Sequence, residues 1–206
     1  MVPWDDDIDI CINEKHREKL FEIMLSARPD YKLYNSSDLL NSYGQWKFYK
    51  LKASRSFVHR SFKWPYIDIF LYGTNDSHIY HNALPTELTF QKKDIYPMVY
   101  RPYESLMLPA PCNFMEILKL VNLEQCKTRS FSHLFEIPLY NWWQRVIPCS
   151  ELYSDFPFAF RELSAGGYEP YFKINKTAGT YQEVLMMKNR VISRSTVFQS
   201  QCSGQI

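Results

Sequence analysis

The stretch Pro3-Trp4-Asp5-Asp6-Asp7-Ile8-Asp9-Ile10 carries four aspartates in five positions, the last of them alternating with isoleucine. Alternation of period two predicts a strand over residues 5–12, with Asp5, Asp7 and Asp9 on one face and Ile8 and Ile10 on the other. Same-face neighbours on a strand stand roughly 6.6 Å apart, so their oxygens can lean onto one cation. Two unit charges about 4 Å apart repel by about 4 kcal/mol at an effective dielectric of 20. Carboxylates crowded on a half-buried strand therefore call for a metal ion or bound protons, and hard oxygen donors favour Mg²⁺, Mn²⁺ or Ca²⁺ over zinc. An EF-hand is excluded, because Ile10 stands where that loop needs glycine and His16 where it needs a bidentate glutamate. The alternative is a solvated acidic terminus, which would not need the isoleucines.

Trp64-Pro65-Tyr66-Ile67-Asp68-Ile69-Phe70-Leu71-Tyr72 predicts a second, strongly apolar strand with one carboxylate at its middle. Ile67, Ile69 and Leu71 share one side; Tyr66, Asp68, Phe70 and Tyr72 share the other. An ionised aspartate in such a strand is costly unless it is paired or metal-bound; pairing with an arginine or capping a turn is the alternative to a metal role. Together the two strands predict a three-carboxylate site for Mg²⁺ or Mn²⁺. Such sites suit phosphoryl or nucleotidyl transfer, where the ion neutralises phosphate charge.

Composition sets the bounds. The 206 residues suit one domain, and 46% hydrophobic with 17% aromatic content can build a core. A net charge of +2 with scattered basic residues argues against a nucleic-acid partner. No run of 18 apolar residues is present, so this chain holds no transmembrane helix, and its acidic start is not a signal peptide. Cys11, Cys112, Cys126, Cys149 and Cys202 show no zinc-binding spacing. Disulfides, Cys112 with Cys149 for example, and buried thiols both stay open. Three glycosylation triplets, at Asn35, Asn75 and Asn175, mildly favour a lumenal chain.

Further along, Asn13 predicts a capped helix over residues 14–27 with Leu20, Ile23, Met24 and Ala27 on one face, ended by Arg28-Pro29-Asp30. Residues 31–34 and 45–52 read as strands, 35–42 as turn-like, 52–63 as a basic link and 73–82 as a loop. Residues 94–110 read as a proline-punctuated hairpin, followed by a helix over 114–123 capped by Asn113. Gly166-Gly167 marks a turn, and two late strands, 183–187 and 190–193, flank Lys188-Asn189. Arg55, Arg60, Lys63 and Arg101 are candidate phosphate contacts, with a solvated basic loop as the alternative. His78 and His81 have a metal-like spacing without a third ligand; His59 and His133 show no partner pattern. Tyr140, Trp142 and Trp143 are read as core, the alternative being a stack against an acceptor sugar.

These residues resemble a known family. Residues 3–10 look like the signature of the LicD / fukutin-related group, residues 64–72 like its later strand with a third acidic residue, and residues 94–118 like its downstream hairpin and short helix. The resemblance implies an α/β (mixed α+β) fold: a nucleotidyltransferase-like mixed sheet flanked by helices, with a core over residues 1–125 and a C-terminal extension of the same domain over 126–206. It implies a transferase that moves a ribitol-phosphate or phosphocholine type of group from a CDP-activated donor to a glycan. Asp7, Asp9 and Asp68 would be catalytic metal ligands for Mg²⁺ or Mn²⁺, Asp5 an additional ligand, outer partner or base, and Arg60, Lys63 and Arg101 donor contacts. The expected setting is the Golgi lumen or secretory pathway. Family members carry a helix and a glycine-containing strand-turn before the aspartate motif. Only Met1 and Val2 precede it here, so the resemblance also implies a chain truncated at its N-terminus. The alternatives are a non-catalytic binding or scaffold homologue and a nucleotidyltransferase acting on a small molecule or RNA.

Overall fold

The computed structural model describes residues 6–35, 45–103, 106–118, 124–128, 130–170 and 180–198. Asp5, most of the turn-like stretch 35–42 and the far end of the helix expected over 114–123 fall outside these. The fold is mixed α/β, with strands predominating. It divides into two compact units, one built from residues 4–89 with 129–144, the other from residues 1–3, 90–128 and 145–206.

The first unit grows from the two aspartate strands. β1 (Ile8–Asn13) lies parallel to β6 (Ile67–Thr74), in a register that sets Asp9 beside Asp68 and Ile10 beside Ile69. Parallel neighbours need a long crossover, and residues 14–66 supply it. Asn13 accepts a hydrogen bond from the Lys15 N–H at 3.0 Å and caps a short 3-10 turn, Glu14–His16. α1 (Arg17–Ser26) then follows. β2 (Tyr31–Asn35) and β3 (Trp46–Lys50) form an antiparallel pair, and β3 runs antiparallel to β6 on Trp46↔Ile69, Lys47↔Asp68 and Phe48↔Ile67. Two short strands, β4 (Arg55–Ser56) and β5 (Lys63–Trp64), pair within the basic link. Within this unit the strands run in the order β2-β3-β6-β7, with β1 alongside β6.

The expected loop over 73–82 contains a strand instead: β7 (His78–His81) pairs antiparallel with the end of β6. The turn chemistry explains it. Asn75 Oδ1 accepts from the N–H groups of Ser77 (3.1 Å) and His78 (2.8 Å) and folds the chain back. Ile79 is then buried at the second strand position. A β-carbon at Gly73 would run into the ring of Tyr80, its cross-strand partner, so this position admits only glycine without a shift.

Side-chain alternation gives the sheet two unlike faces. On one, Leu33, Trp46 and Ile69 form a buried cluster with Ile10, Ile12, Phe48, Ile67 and the α1 residues Leu20 and Met24. Ile23, expected on that helix face, is 57% exposed. On the other face Tyr49, Phe62 and Tyr66 pack with Tyr34, Leu51, Phe57 and Trp64.

The second unit is antiparallel. Val99–Tyr103 and Leu106–Ala110 form the expected hairpin. Strands Tyr168–Pro170, Phe158–Glu162, Thr180–Met187 and Arg190–Phe198 form a sheet in that order around Phe160, Val184 and Met186. Lys188 and Asn189 both take positive φ (50° and 59°), the conformation a two-residue hairpin turn demands. Gly166 and Gly167 do the same at 82° and 96°. Gln125–Lys127 pairs with Val146–Pro148, and Cys126 is bonded to Cys149, not Cys149 to Cys112. Cys11 is a free thiol. Among the described residues no helix is long and apolar enough to cross a membrane.

His81 gives the β6–β7 hairpin a pH dependence. Its Nδ1 accepts from the N–H groups of Ala83 (3.0 Å) and Leu84 (3.2 Å), its ring lies 5.0 Å from Phe70, and burial lowers its pKa below 6.5. The unfolded chain therefore binds a proton at His81 more readily than the folded one. The stability this neutral ring contributes is fully present above pH 6.5 and is lost as pH falls below it. Urea midpoints should drop more between pH 7 and 5 in the native chain than in His81→Asn, which keeps an acceptor but does not titrate. An equal drop in both would discard this account.

Candidate metal centre

The register of three strands draws one row of charge across the sheet. Asp9 on β1, Asp68 on β6 and Lys47 on β3 are consecutive neighbours. Alternation puts Asp7 on the same face as Asp9. Asp7, Asp9 and Asp68 each offer a carboxylate oxygen within 4.8 Å of the others. Asp68 is 1% exposed, Asp7 is partly buried and Asp9 is exposed, so the cluster grades from the sheet interior toward solvent.

Asp68 is the costly member, because an ionised carboxylate in an apolar strand loses its hydration. Lys47 supplies the compensation: its Nζ stands 2.6 Å from Asp68 Oδ1 and is itself buried. The ammonium also lies 3.8 Å from the centre of the Tyr66 ring and 4.8 Å from that of Phe62, so two aromatic faces share its charge. Burial pushes the Asp68 carboxyl up, and Lys47 pulls it part of the way back. A carboxylate has two oxygens and about four acceptor sites, so a lysine on Oδ1 leaves capacity for a further cation. Three carboxylates facing one ammonium leave two negative charges, the complement of a single divalent ion. The donor set is all oxygen and hard, and it fits Mg²⁺ or Mn²⁺.

Asp7 has a neighbour from a distant part of the chain. His133 Nε2 lies 3.1 Å from Asp7 Oδ2, and its Nδ1 lies 2.7 Å from the Tyr66 hydroxyl. That hydroxyl donates to Glu136 Oε1 at 2.6 Å. Burial, the hydrogen bond to Glu136 and the negative charges around it push the Tyr66 phenol far up, so it stays protonated and keeps its donor. Asp6 Oδ2 accepts from Leu134 N–H at 2.8 Å and Ser132 Oγ at 3.1 Å, and the Asp6 carbonyl accepts from Trp64 Nε1 at 2.8 Å; Asp6 also joins Asp7 and His133 in a second group whose ligand atoms lie within 4.8 Å of one another.

The structure thus gathers Asp7, Asp9 and Asp68, while Asp5 lies outside the described residues. Of the expected phosphate contacts, Arg60 stands 3.5 Å from Glu136 Oε2 with its side chain 48% exposed, and Lys63 Nζ donates to the Leu51 carbonyl at 2.9 Å. Arg55 donates to the Leu134 carbonyl at 2.7 Å. Arg101 belongs to the other unit, where it pairs with buried Glu183 at 2.7 Å and lies 3.9 Å from the Phe114 ring. Tyr140, Trp142 and Trp143, expected in the core, are 60%, 68% and 52% exposed, with Tyr140 and Trp142 stacked at 4.7 Å. The residues that sequence reasoning missed are Lys47, Tyr66, His133 and Glu136. None of the four is marked out by a local pattern; Lys47 has aromatic neighbours, but only its register against Asp68 sets it apart.

A family model described as LicD/FKTN/FKRP, nucleotidyltransferase domain, matches residues 1–113. Neither a curated protein nor a solved structure matches the chain.

Removing Lys47 strands a buried charge. Lys47→Met should cost about 3–5 kcal/mol in urea unfolding, the usual penalty for breaking one side of a buried pair. Adding Asp68→Asn should then recover part of that loss. A double variant no more stable than Lys47→Met would show that the pair does not carry this energy.

Proposed function

The chain belongs to the LicD/FKTN/FKRP family of nucleotidyltransferase domains, and on that premise we propose that it is a metal-dependent transferase of glycan modification. The activity assigned here moves a phosphorylated group, of ribitol-phosphate or phosphocholine type, from a CDP-activated donor to a glycan acceptor. One observation carries the reading: carboxylate oxygens of Asp7, Asp9 and Asp68 lie within 4.8 Å of one another on a half-buried sheet face.

In this reading Asp7, Asp9 and Asp68 hold Mg²⁺ or Mn²⁺. A bound ion would neutralise the donor diphosphate and orient its leaving group. Asp68 and Lys47 form the fixed floor of the site, since both are buried and bonded to each other. Asp9, the exposed carboxylate, is the ligand nearest solvent and incoming donor. Arg60 keeps donors free on a half-exposed guanidinium and is the better placed of the basic residues to meet a phosphate. The exposed Tyr140–Trp142 stack offers flat apolar faces of the kind against which sugar rings pack. A lumenal setting, Golgi or secretory pathway, agrees with the Cys126–Cys149 disulfide and with the exposed Asn75-Asp76-Ser77 triplet.

The test is thermal unfolding of the chain with and without Mn²⁺, in the presence of CMP, CDP or UDP. The melting temperature should rise only when metal and a cytidine nucleotide are both present, and Asp7→Asn should abolish that rise while folding normally. With a competent donor, Asp7→Asn should lower turnover by at least about 100-fold, since the metal's share of charge stabilisation is several kcal/mol. Full turnover by Asp7→Asn would sink the assignment. A well-folded chain that ignores metal and nucleotide would favour the non-catalytic, binding-protein reading.

A further inference from the structure

Residues 131–136 lie beyond the stretch that matches the family, yet they close on the aspartate strand at successive points. Ser132 and Leu134 both donate to Asp6 Oδ2, which pins the segment on either side of His133. The Leu134 carbonyl is held in turn by Arg55. His133, with its side chain 18% exposed, is thereby presented edge-on to Asp7, with Nε2 3.1 Å from Oδ2. Its ring is fixed on the far side by the Tyr66 hydroxyl at Nδ1, which Glu136 orients, and by Phe131, whose ring centre is 5.1 Å away. An ionised Asp7 can only accept, so the hydrogen of this contact comes from Nε2.

We propose that His133 is a positioning residue: it fixes the Asp7 carboxylate for the metal, from a part of the chain that the family match does not reach. The inference rests on the metal role proposed above for Asp7, Asp9 and Asp68. A strand aspartate is free to turn about two side-chain bonds. Holding Oδ2 in a hydrogen bond selects one orientation of the carboxylate beside Asp9 and Asp68. Partners of this kind, one shell out from the metal, are worth about 10–100-fold in metal affinity. Segment 131–136 is then part of the site, and a protein cut at the end of the family match would lose it.

The experiment is Mn²⁺ titration of the full chain, followed by the EPR signal of free Mn²⁺ and without nucleotide, in native, Asp7→Asn, His133→Ala and His133→Gln forms. His133→Ala should weaken Mn²⁺ binding about 10–100-fold. His133→Gln, whose amide N–H can reach Asp7, should restore most of the loss, and the native complex should show no imidazole nitrogen coupling in pulsed EPR. Affinity within about threefold of native in His133→Ala, with binding still lost in Asp7→Asn, overturns the positioning role and leaves the metal reading intact. Nitrogen coupling in the native complex also overturns it, because His133 would then be a ligand. Native protein that binds no Mn²⁺, or Asp7→Asn that binds as tightly, removes the metal reading and this one with it. If His133→Ala does not fold, Tyr66→Phe takes its place: losing the hydroxyl that steadies the imidazole should still weaken Mn²⁺ binding, and unchanged affinity overturns the proposal.

Discussion

The ion pair between Lys47 and Asp68 is the constraint around which the first unit is arranged. A carboxylate at the second position of an eight-residue, mostly apolar strand, 1% exposed, demands a counter-charge from an adjacent strand. The cation must also be shielded, and the packed rings of Phe62 and Tyr66 do that. Register follows from the same demand. Sliding β3 by one residue against β6 would bring Trp46 to the Asp68 face and carry Lys47 into the cluster of Leu33 and Ile69. The placement of α1 is a corollary: the face opposite the pair carries the cluster of Leu33, Trp46 and Ile69, and Leu20 and Met24 pack against it.

A buried ion pair is rarely the most stable choice, since well-packed apolar residues often do as well. What this one provides is a carboxylate at fixed position, its burial partly offset by Lys47, beside two others. The site is therefore graded. Its interior edge is locked by Lys47, its middle member Asp7 is held by His133, and its outer member Asp9 is open to solvent.

Much of this was legible in the chain. Period-two alternation in residues 3–10 and 64–72 located both central strands and put Asp7 and Asp9 on one face; the family resemblance singled out the set Asp7, Asp9 and Asp68, whose carboxylates meet. Asn13 announced the helical start, and Lys188-Asn189 and Gly166-Gly167 announced their turns, because these are local demands written in local residue types. What was not legible depends on register or on long-range folding. Lys47 sits in an alternating stretch that looks like any half-buried strand, and only its alignment with Asp68 distinguishes it. His133 has no patterned neighbours, because its partners come from β1 and from Tyr66. The β7 strand was hidden by its polar ends, His78 and His81, although Asn75 carried the turn signal. Tyr140, Trp142 and Trp143 misled in the other direction: large aromatics usually pack inside, but a short 3-10 turn, Asn141–Trp143, projects these outward.

The Cys126–Cys149 disulfide encloses the segment that carries His133. Residues 129–144 are an excursion: the chain leaves one compact unit, contributes to the other, and returns. The Cys126–Cys149 bond, with 5.0 Å between its Cα atoms, and the paired strands beside it close the chain on either side of that excursion. The segment bearing His133 is thus a closed covalent loop rather than a free arm, with a closure entropy of about 3 kcal/mol removed from the unfolded chain for a loop of this size. Reduction would return that entropy to the unfolded chain, so the segment bearing His133 would order at greater cost. The ordering of residues 131–136 thus depends on a bond made outside them.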